Sequence, residues 1–581
     1  MTGVNEMLTF QKSPKSPNSP SNESEKSRKY DRQLRLWGEV GQFAIENSNI
    51  CLINATALGT ETLKSLVLPG LGSFTIVDNT KVTDEDIGNN FFLDSESLGK
   101  SRAMVATQLL LEMNSDVRGD FVEESVDSLL QANPSFFTNF SVVIATNVWN
   151  EKTVCKLSQL LWETNVPLLI CYSYGFIGCI RLQIAEHTII ESHPDNFLED
   201  LRLDKPFPEL RAFFESNLNI ENQTRKDLTH TPYLVLLFKY LKQWQQENNK
   251  ADDCLPINYK EKAQLKALIK EAMNQFKQSK LWHSDENSVE KELELDNFEE
   301  AIKAVNTVLV PSNFIPSETK AILEHPSVSE VMNKKIKNMK FWLLVKSLKE
   351  FLANKSEGCL PVRGSLPDMT SDSDRYVKLQ KIYSNKAKED ADAVQACLQE
   401  VCGTIGMSSE IVSDNTLKKF CKNAHFLRVH ETSAFFSEFA NEGEKSHHFV
   451  SKMRELVNSS DFNGDGTNDF IFYLMIRSVM RFVTLYSRFP GYCSDQVESD
   501  INTLKSCFKE FLSDFGLPPL SKDDYIHEMC RYGGCELHSI SSFLGGCIAH
   551  EIIKLITSQY VPIKNTVIYN AMNSTTTTFD W

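Results

Sequence analysis

The sequence predicts an α/β protein: a doubly wound sheet domain that is discontinuous, split by a large and mainly helical insertion. Three observations lead there. From Asn49 onward, short apolar runs alternate with segments of helical period. From about Asp195 this rhythm gives way to long helical patterns. Near the C terminus strand-like runs return, as NTVIYNA and TTTTFDW. Alternating strand and helix patterns call for parallel strands joined by crossover helices. A late return of strands places both ends of the chain in one domain.

In chain order, residues 1–29 are a polar tail carrying Ser13-Pro14, Ser16-Pro17 and Ser19-Pro20. The tail has too few large apolar groups to offset the entropy of ordering. NICLIN then reads as a strand, TETLKSLVLPG as a helix and SFTIVD as a second strand, before a helical pattern from Ser101 to Met113. FSVVIAT and VPLLICYS read as further strands, with KTVCKLSQLLWE as the helix between them. The middle holds long helices such as the one from Lys340. There Phe341, Leu344, Val345, Leu348, Phe351 and Leu352 recur at three- and four-residue spacing and form a core stripe. SISSFLGGCIAHEIIKLITSQ reads as a late helix with close-packing glycines. The expected divisions are 30–195 and 515–581 for the sheet domain and 196–514 for the insertion.

Composition narrows the function. The chain has 581 residues, enough for about three or four units. It carries 61 Lys and Arg against 77 Asp and Glu, a formal charge of −16, which opposes the counterion release that drives nucleic-acid binding. The longest apolar runs, such as YLVLLF from Tyr233, fall far short of the roughly 18 residues of a membrane span. Fourteen cysteines are scattered without CxxC pairs or zinc spacing, as expected of reduced thiols in the cytoplasm or nucleus. His193, His230, His447, His448 and His538 show no metal-ligand spacing. DFNGDGTND from Asp461 imitates the start of a calcium loop, with Asp461, Asn463, Asp465 and Gly466 in place. Phe472 stands where the closing carboxylate belongs and Asn468 where an apolar residue does, so it reads as a polar turn.

The chemistry of a Rossmann-like domain sits where the first strand turns into its helix, because glycines there let backbone amides approach phosphate. Here the segment is INATALGTETL. Only Gly59 remains in the turn, and Asn54, Thr56 and Ala57 bring side chains where phosphate needs bare backbone. Asp78 closes the second strand nineteen residues later. That spacing suits a ribose hydroxyl and equally suits a strand-terminal aspartate accepting turn amides.

YDRQLRLWG from Tyr30 to Gly38 and LVLPGLGSFTIVD together resemble the opening of ubiquitin-like-protein activating enzymes. Within them, GNNFFLDSESLGKSRA, ESHPDNFLEDLRLDKPFPELR, LPVRGSLPDM and EMCRYGGCELHSISSFLGGCIAHEIIKLITSQYVP are similar to the regulatory subunits of neddylation-activating enzymes, from about residue 30 to the end. The resemblance implies a ThiF-type adenylation fold. Active members keep a glycine-rich turn, an arginine, a lysine and an aspartate for ATP and magnesium. Here glycines are lost at Asn54, Thr56 and Ala57, Asn89 stands for the arginine, Arg102 for the lysine and Asn147 for the aspartate. These losses remove the donors and charges that hold triphosphate and metal. The resemblance therefore implies a pseudo-adenylation domain with no catalytic residue and no cofactor or metal of its own.

It further implies a heterodimer with a catalytic subunit that binds ATP and Mg, adenylates the ubiquitin-like modifier and carries it as a thioester. The conjugating enzyme is reached only indirectly. Arg32, on the N-terminal helix, is implied to reach the partner's ATP phosphates in trans. Cys530, Cys535 and Cys547 have no nucleophile signature, so the acceptor thiol is expected on the partner. Three alternatives stand beside this: the regulatory subunit of a sumoylation system, a scaffold with no role in activation, and a nucleotide-dependent oxidoreductase, which the spoiled turn opposes.

Overall fold

A computed structural model describes residues 28–195, 197–278, 294–333, 336–439, 447–459, 468–519 and 523–581. The Ser-Pro tail and the start of the calcium-like loop lie outside the described residues. Two units are present. One contains the chain up to Ile189 and from Val429 onward; the other is Ile190–Arg428.

The first unit is built on one sheet. Its strands are β1 (Asn49–Ile53), β2 (Ser73–Val77), β3 (Arg118–Val122), β4 (Val142–Thr146), β5 (Leu168–Tyr174) and β6 (Ile177–Gln183). A short β7 (His187–Ile189) and β8 (Arg428–His430) mark where the chain leaves and returns, and β9 (Thr566–Asn570) and β10 (Thr575–Phe579) complete it. The eight-stranded order is β10-β9-β6-β5-β4-β1-β2-β3. Strands β3, β2, β1, β4 and β5 run parallel, while β6, β9 and β10 extend the sheet antiparallel. The sequence pattern foretold β1, β2, β4 and β5 of the parallel half and the late strands β9 and β10. It left out β3, whose half-exposed RGDFV lacks an apolar run, and β6, which follows β5 after a tight turn.

The parallel strands read as continuous apolar runs because helices cover both their faces. Ile50 and Leu52 of β1 join Val142 and Ile144 of β4 in the core under the helices Ala57–Val67, Arg102–Met113 and His538–Thr557. Cys51, Ile53, Val143 and Ala145 point the other way, into a core with Leu157, Leu474, Met475 and Phe508. That second core corrects the expected boundary. The helices Phe470–Tyr486 and Val497–Asp514, placed by sequence in the insertion, pack against the sheet domain, and the chain returns at Val429 rather than near 515. The 470–486 helix is apolar nearly all round, as a helix buried between other elements must be. His538–Thr557 is long and apolar enough to span a membrane by length and composition. Its Ile540, Leu544, Ile548 and Ile552 instead lie in the sheet core.

The second unit is helical. Tyr233–Glu247, Asp296–Ala304 and the 33-residue Ser373–Ile405 share a core in which the Phe214 and Phe238 rings stack 4.6 Å apart. Asp372 caps the long helix at its start and Gly406, at φ +65°, ends it in the left-handed conformation that glycine tolerates. On Met339–Asn354 the predicted stripe is buried apart from Leu352, which is half-buried, and Trp342 and Leu343 extend the stripe around the helix.

Candidate nucleotide site

In a doubly wound sheet, ligands bind beyond the carboxyl ends of the strands where the order reverses, here between β1 and β4. Asn54 leaves β1 at φ +66° and its amide donates to the carbonyl of Thr146 at 3.0 Å. The single Thr146 hydroxyl proton is shared between Ile53 O and Asn54 O, at 2.9 and 2.8 Å, so the two strand ends are laced together. Thr56 caps the 57–67 helix by accepting from Gly59 N. A Cβ on Gly59 would sit 2.5 Å from Asn54 O, so this glycine serves helix–strand packing.

The first free amides of that helix would face a phosphate in an active site. Here Ala57 N and Leu58 N donate to the Glu536 carboxylate at 3.3 and 3.1 Å. An anion is what the positive end of a helix favours, and the chain supplies its own. Burial raises the Glu536 pKa above the ordinary glutamate value, opposed by the Leu58 amide, the nearby Arg102 charge and the Ala57 amide. The Cys535–Glu536 backbone is fixed by three hydrogen bonds. Gly175 N donates to Cys535 O at 2.8 Å, Cys535 N donates to Tyr532 O at 2.8 Å, and Asn89 Nδ2 reaches Glu536 O at 3.5 Å. Asn89, the residue at the arginine position, is thus spent on this segment, and its carbonyl lies 3.3 Å from His538 Nδ1.

Asp78 is fully buried and fully engaged. Its Oδ2 accepts from Ala55 N at 2.9 Å and Arg102 Nε at 2.7 Å; its Oδ1 accepts from the Thr80 amide and hydroxyl. Arg102 also bonds Asp86 at 2.8 Å. Burial alone would lower the Arg102 pKa, but the two carboxylates outweigh it and hold it above its ordinary value. Asn147, at φ +50°, turns its Oδ1 toward Ser173 N at 3.0 Å. The structure therefore brings Asn54, Thr56, Ala57, Gly59, Asp78, Asn89, Arg102 and Asn147 around one strand-end crevice, with each polar side chain among them bonded within the protein.

Residues 30–580 match the ThiF family. The NEDD8-activating enzyme E1 regulatory subunit of Xenopus laevis is 46% identical over 552 residues, covering 95% of this chain and 98% of that protein. Its Danio rerio counterpart is 47% identical over 552 residues with the same coverage. The NEDD8-activating enzyme E1 regulatory subunit AXR1 of Arabidopsis thaliana is 39% identical over 547 residues, 94% of each chain. This chain belongs to the family of NEDD8-activating enzyme E1 regulatory subunits, within the ThiF family.

In this regulatory-subunit chain Arg32 lies on the helix Asp31–Glu46, 86% exposed and 4.0 Å from Asp31. The helix is anchored rather than loose. Tyr30 is buried against Asn114 and Asp116, and Gln559 donates to Trp37 O at 3.0 Å. Gly38, at φ +67°, breaks its helical path. Of the three weighed cysteines, Cys530 is buried and its thiol is pushed up to about 12; burial also raises the Cys535 and Cys547 thiols. The residue that sequence reasoning missed is Glu536. It lies 479 positions from Ala57, with no local motif to flag it.

Proposed function

We propose that this chain is the non-adenylating half of the heterodimeric activating enzyme for the NEDD8 modifier. The observation that carries the reading is the Glu536 carboxylate seated on the Ala57 and Leu58 amides, where an active site would cradle phosphate. A triphosphate arriving there would meet that carboxylate, with Arg102 already committed to the buried Asp78 and to Asp86. Like charges at close range in a partly desolvated site cost more than the remaining donors return. The crevice does not fit ATP with magnesium, and Asn147 offers no carboxylate to a metal.

In this reading ATP, magnesium and the acceptor thiol belong to the catalytic subunit, which adenylates the modifier's C terminus and carries the thioester. This chain's contribution is structural and electrostatic. Arg32, exposed on an anchored helix, supplies a guanidinium to the partner's phosphates, where a planar, permanently charged group stabilises developing negative charge. The raised thiols of Cys530, Cys535 and Cys547 favour the unreactive protonated form.

The test is ATP-dependent thioester formation on the modifier by this chain, by the catalytic subunit and by the mixture. Activity only in the mixture, with the thioester on the catalytic subunit, is the expected result. A thioester on this chain alone, or no gain on mixing, would refute the reading.

A further inference from the structure

The side chains that replace glycines in the turn do not stand between a phosphate and the helix amides. Asn54 points its side-chain amide at Thr146 O, and Thr56 turns its hydroxyl back on the helix, where it accepts from Gly59 N. Ala57 adds one methyl group, itself buried. The two leading amides of the helix Ala57–Val67 are those of Ala57 and Leu58, and a helix leaves its first amides without carbonyl partners. Their acceptor is the Glu536 carboxylate, at 3.3 and 3.1 Å.

The cradle beneath that carboxylate is held by contacts of its own. Ala55 N donates to Asp78 at 2.9 Å, Asn90 Nδ2 donates to Ala55 O at 3.1 Å, and Gly59 brings the helix close against Asn54 O. None of these involves the Glu536 side chain. Glu536 is half-buried, so solvent reaches it from one side. Burial works against its charged form, while the Leu58 amide, the Arg102 charge, the Ala57 amide and the Thr56 side chain work for it. The same four groups would favour another oxyanion in its place.

We propose that Glu536, rather than the loss of glycines, is the residue that excludes phosphate from this crevice, its carboxylate standing in for a phosphoryl group on the Ala57 and Leu58 amides. The inference rests on the reading of this chain as the non-adenylating half and names the residue responsible. A carboxylate and the oxygen edge of a phosphoryl group present the same pair of acceptors. The tethered carboxylate wins because it loses no translational freedom on binding. Taking it away leaves the donors in place and removes the charge that repels an oxyanion. Asn147 still offers no carboxylate to a metal, so the ligand admitted is a phosphoryl oxyanion without magnesium.

The probe is inorganic phosphate, titrated at constant ionic strength into the full-length chain and followed by phosphorus NMR. The parent chain should show no saturable binding. Glu536→Ala should bind in the millimolar range, at least about tenfold above any binding by the parent. Glu536→Gln keeps the shape with a neutral acceptor; it should fall between the two, and it decides the matter if Glu536→Ala does not fold. The double variant Asn54→Gly with Ala57→Gly restores two glycines while Glu536 stays, and Asn54 at φ +66° suits glycine. It should behave like the parent. Phosphate binding by the parent or by that double variant, or none by the Glu536 variants, would overturn the proposal. Magnesium–ATP titrated into the parent chain separates the two levels. Binding there refutes the non-adenylating reading, whereas no binding there together with silent Glu536 variants refutes this inference alone.

Discussion

Glu536 performs two jobs at once: it caps a helix and it fills an anion site. The capping part has a measurable energy. Glu536→Ala leaves the Ala57 and Leu58 amides without their acceptor, and the loss of such a cap costs about 1 kcal/mol. Urea unfolding should show the midpoint falling with an unchanged slope. A second residue-scale prediction concerns His187 and His430, both buried with Nε2 atoms lacking hydrogen bonds. Burial lowers each pKa to about 4; His430 also lies near Lys564, Asp580 and Lys554. The folded state therefore prefers the neutral imidazole. This stability is complete above the unfolded value of about 6.5 and is lost as pH falls toward 4, by about 3 kcal/mol for one imidazole. Unfolding midpoints at about pH 7.5, above this window, and about pH 4, at its lower end, should differ less in His430→Gln than in the parent chain. At this scale the sequence was partly legible. Asp78 as a strand-terminal acceptor of turn amides was one of two readings, and its bonds to Ala55 N and Thr80 N fit that one. Glu536 was not legible, because its meaning lies in a contact across the whole chain.

The elements that hold the crevice depend on two glycines. Helix Ala57–Val67 lies against β1 and β4 through Gly59 and against His538–Thr557 through Gly545, where a Cβ would sit 2.9 Å from Thr62 N. Backbone cannot yield as a flexible side chain can. Gly59→Ala, with Asn54 O at 2.5 Å, should destabilise the chain by about 1–3 kcal/mol, read from thermal unfolding. The βαβ elements were visible because apolar runs and helical period change in register with turns. Helix membership was harder. The 470–486 and 497–514 helices have the same period as those of the insertion, and periodicity says which face is buried but not against what. Only the packing of Leu474, Met475 and Phe508 under the sheet assigns them to the first unit.

For the molecule as a whole, the proposed reading is a division of labour in a heterodimer. Arg32→Ala should leave the dimer formed while slowing ATP-dependent adenylation roughly 10- to 100-fold, and Arg32→Lys should recover part of the rate. Size-exclusion chromatography and pyrophosphate exchange measure the two effects separately. The fold class and the discontinuity were legible because strand patterning returns near the C terminus. The closure of the crevice was half legible, as lost glycines without the carboxylate that replaces phosphate. The most direct measurement is the stoichiometry of magnesium–ATP binding at equilibrium, on this chain alone and on the heterodimer. The account predicts no saturable site on the chain and one per heterodimer; a site on the isolated chain, or two per heterodimer, would contradict it.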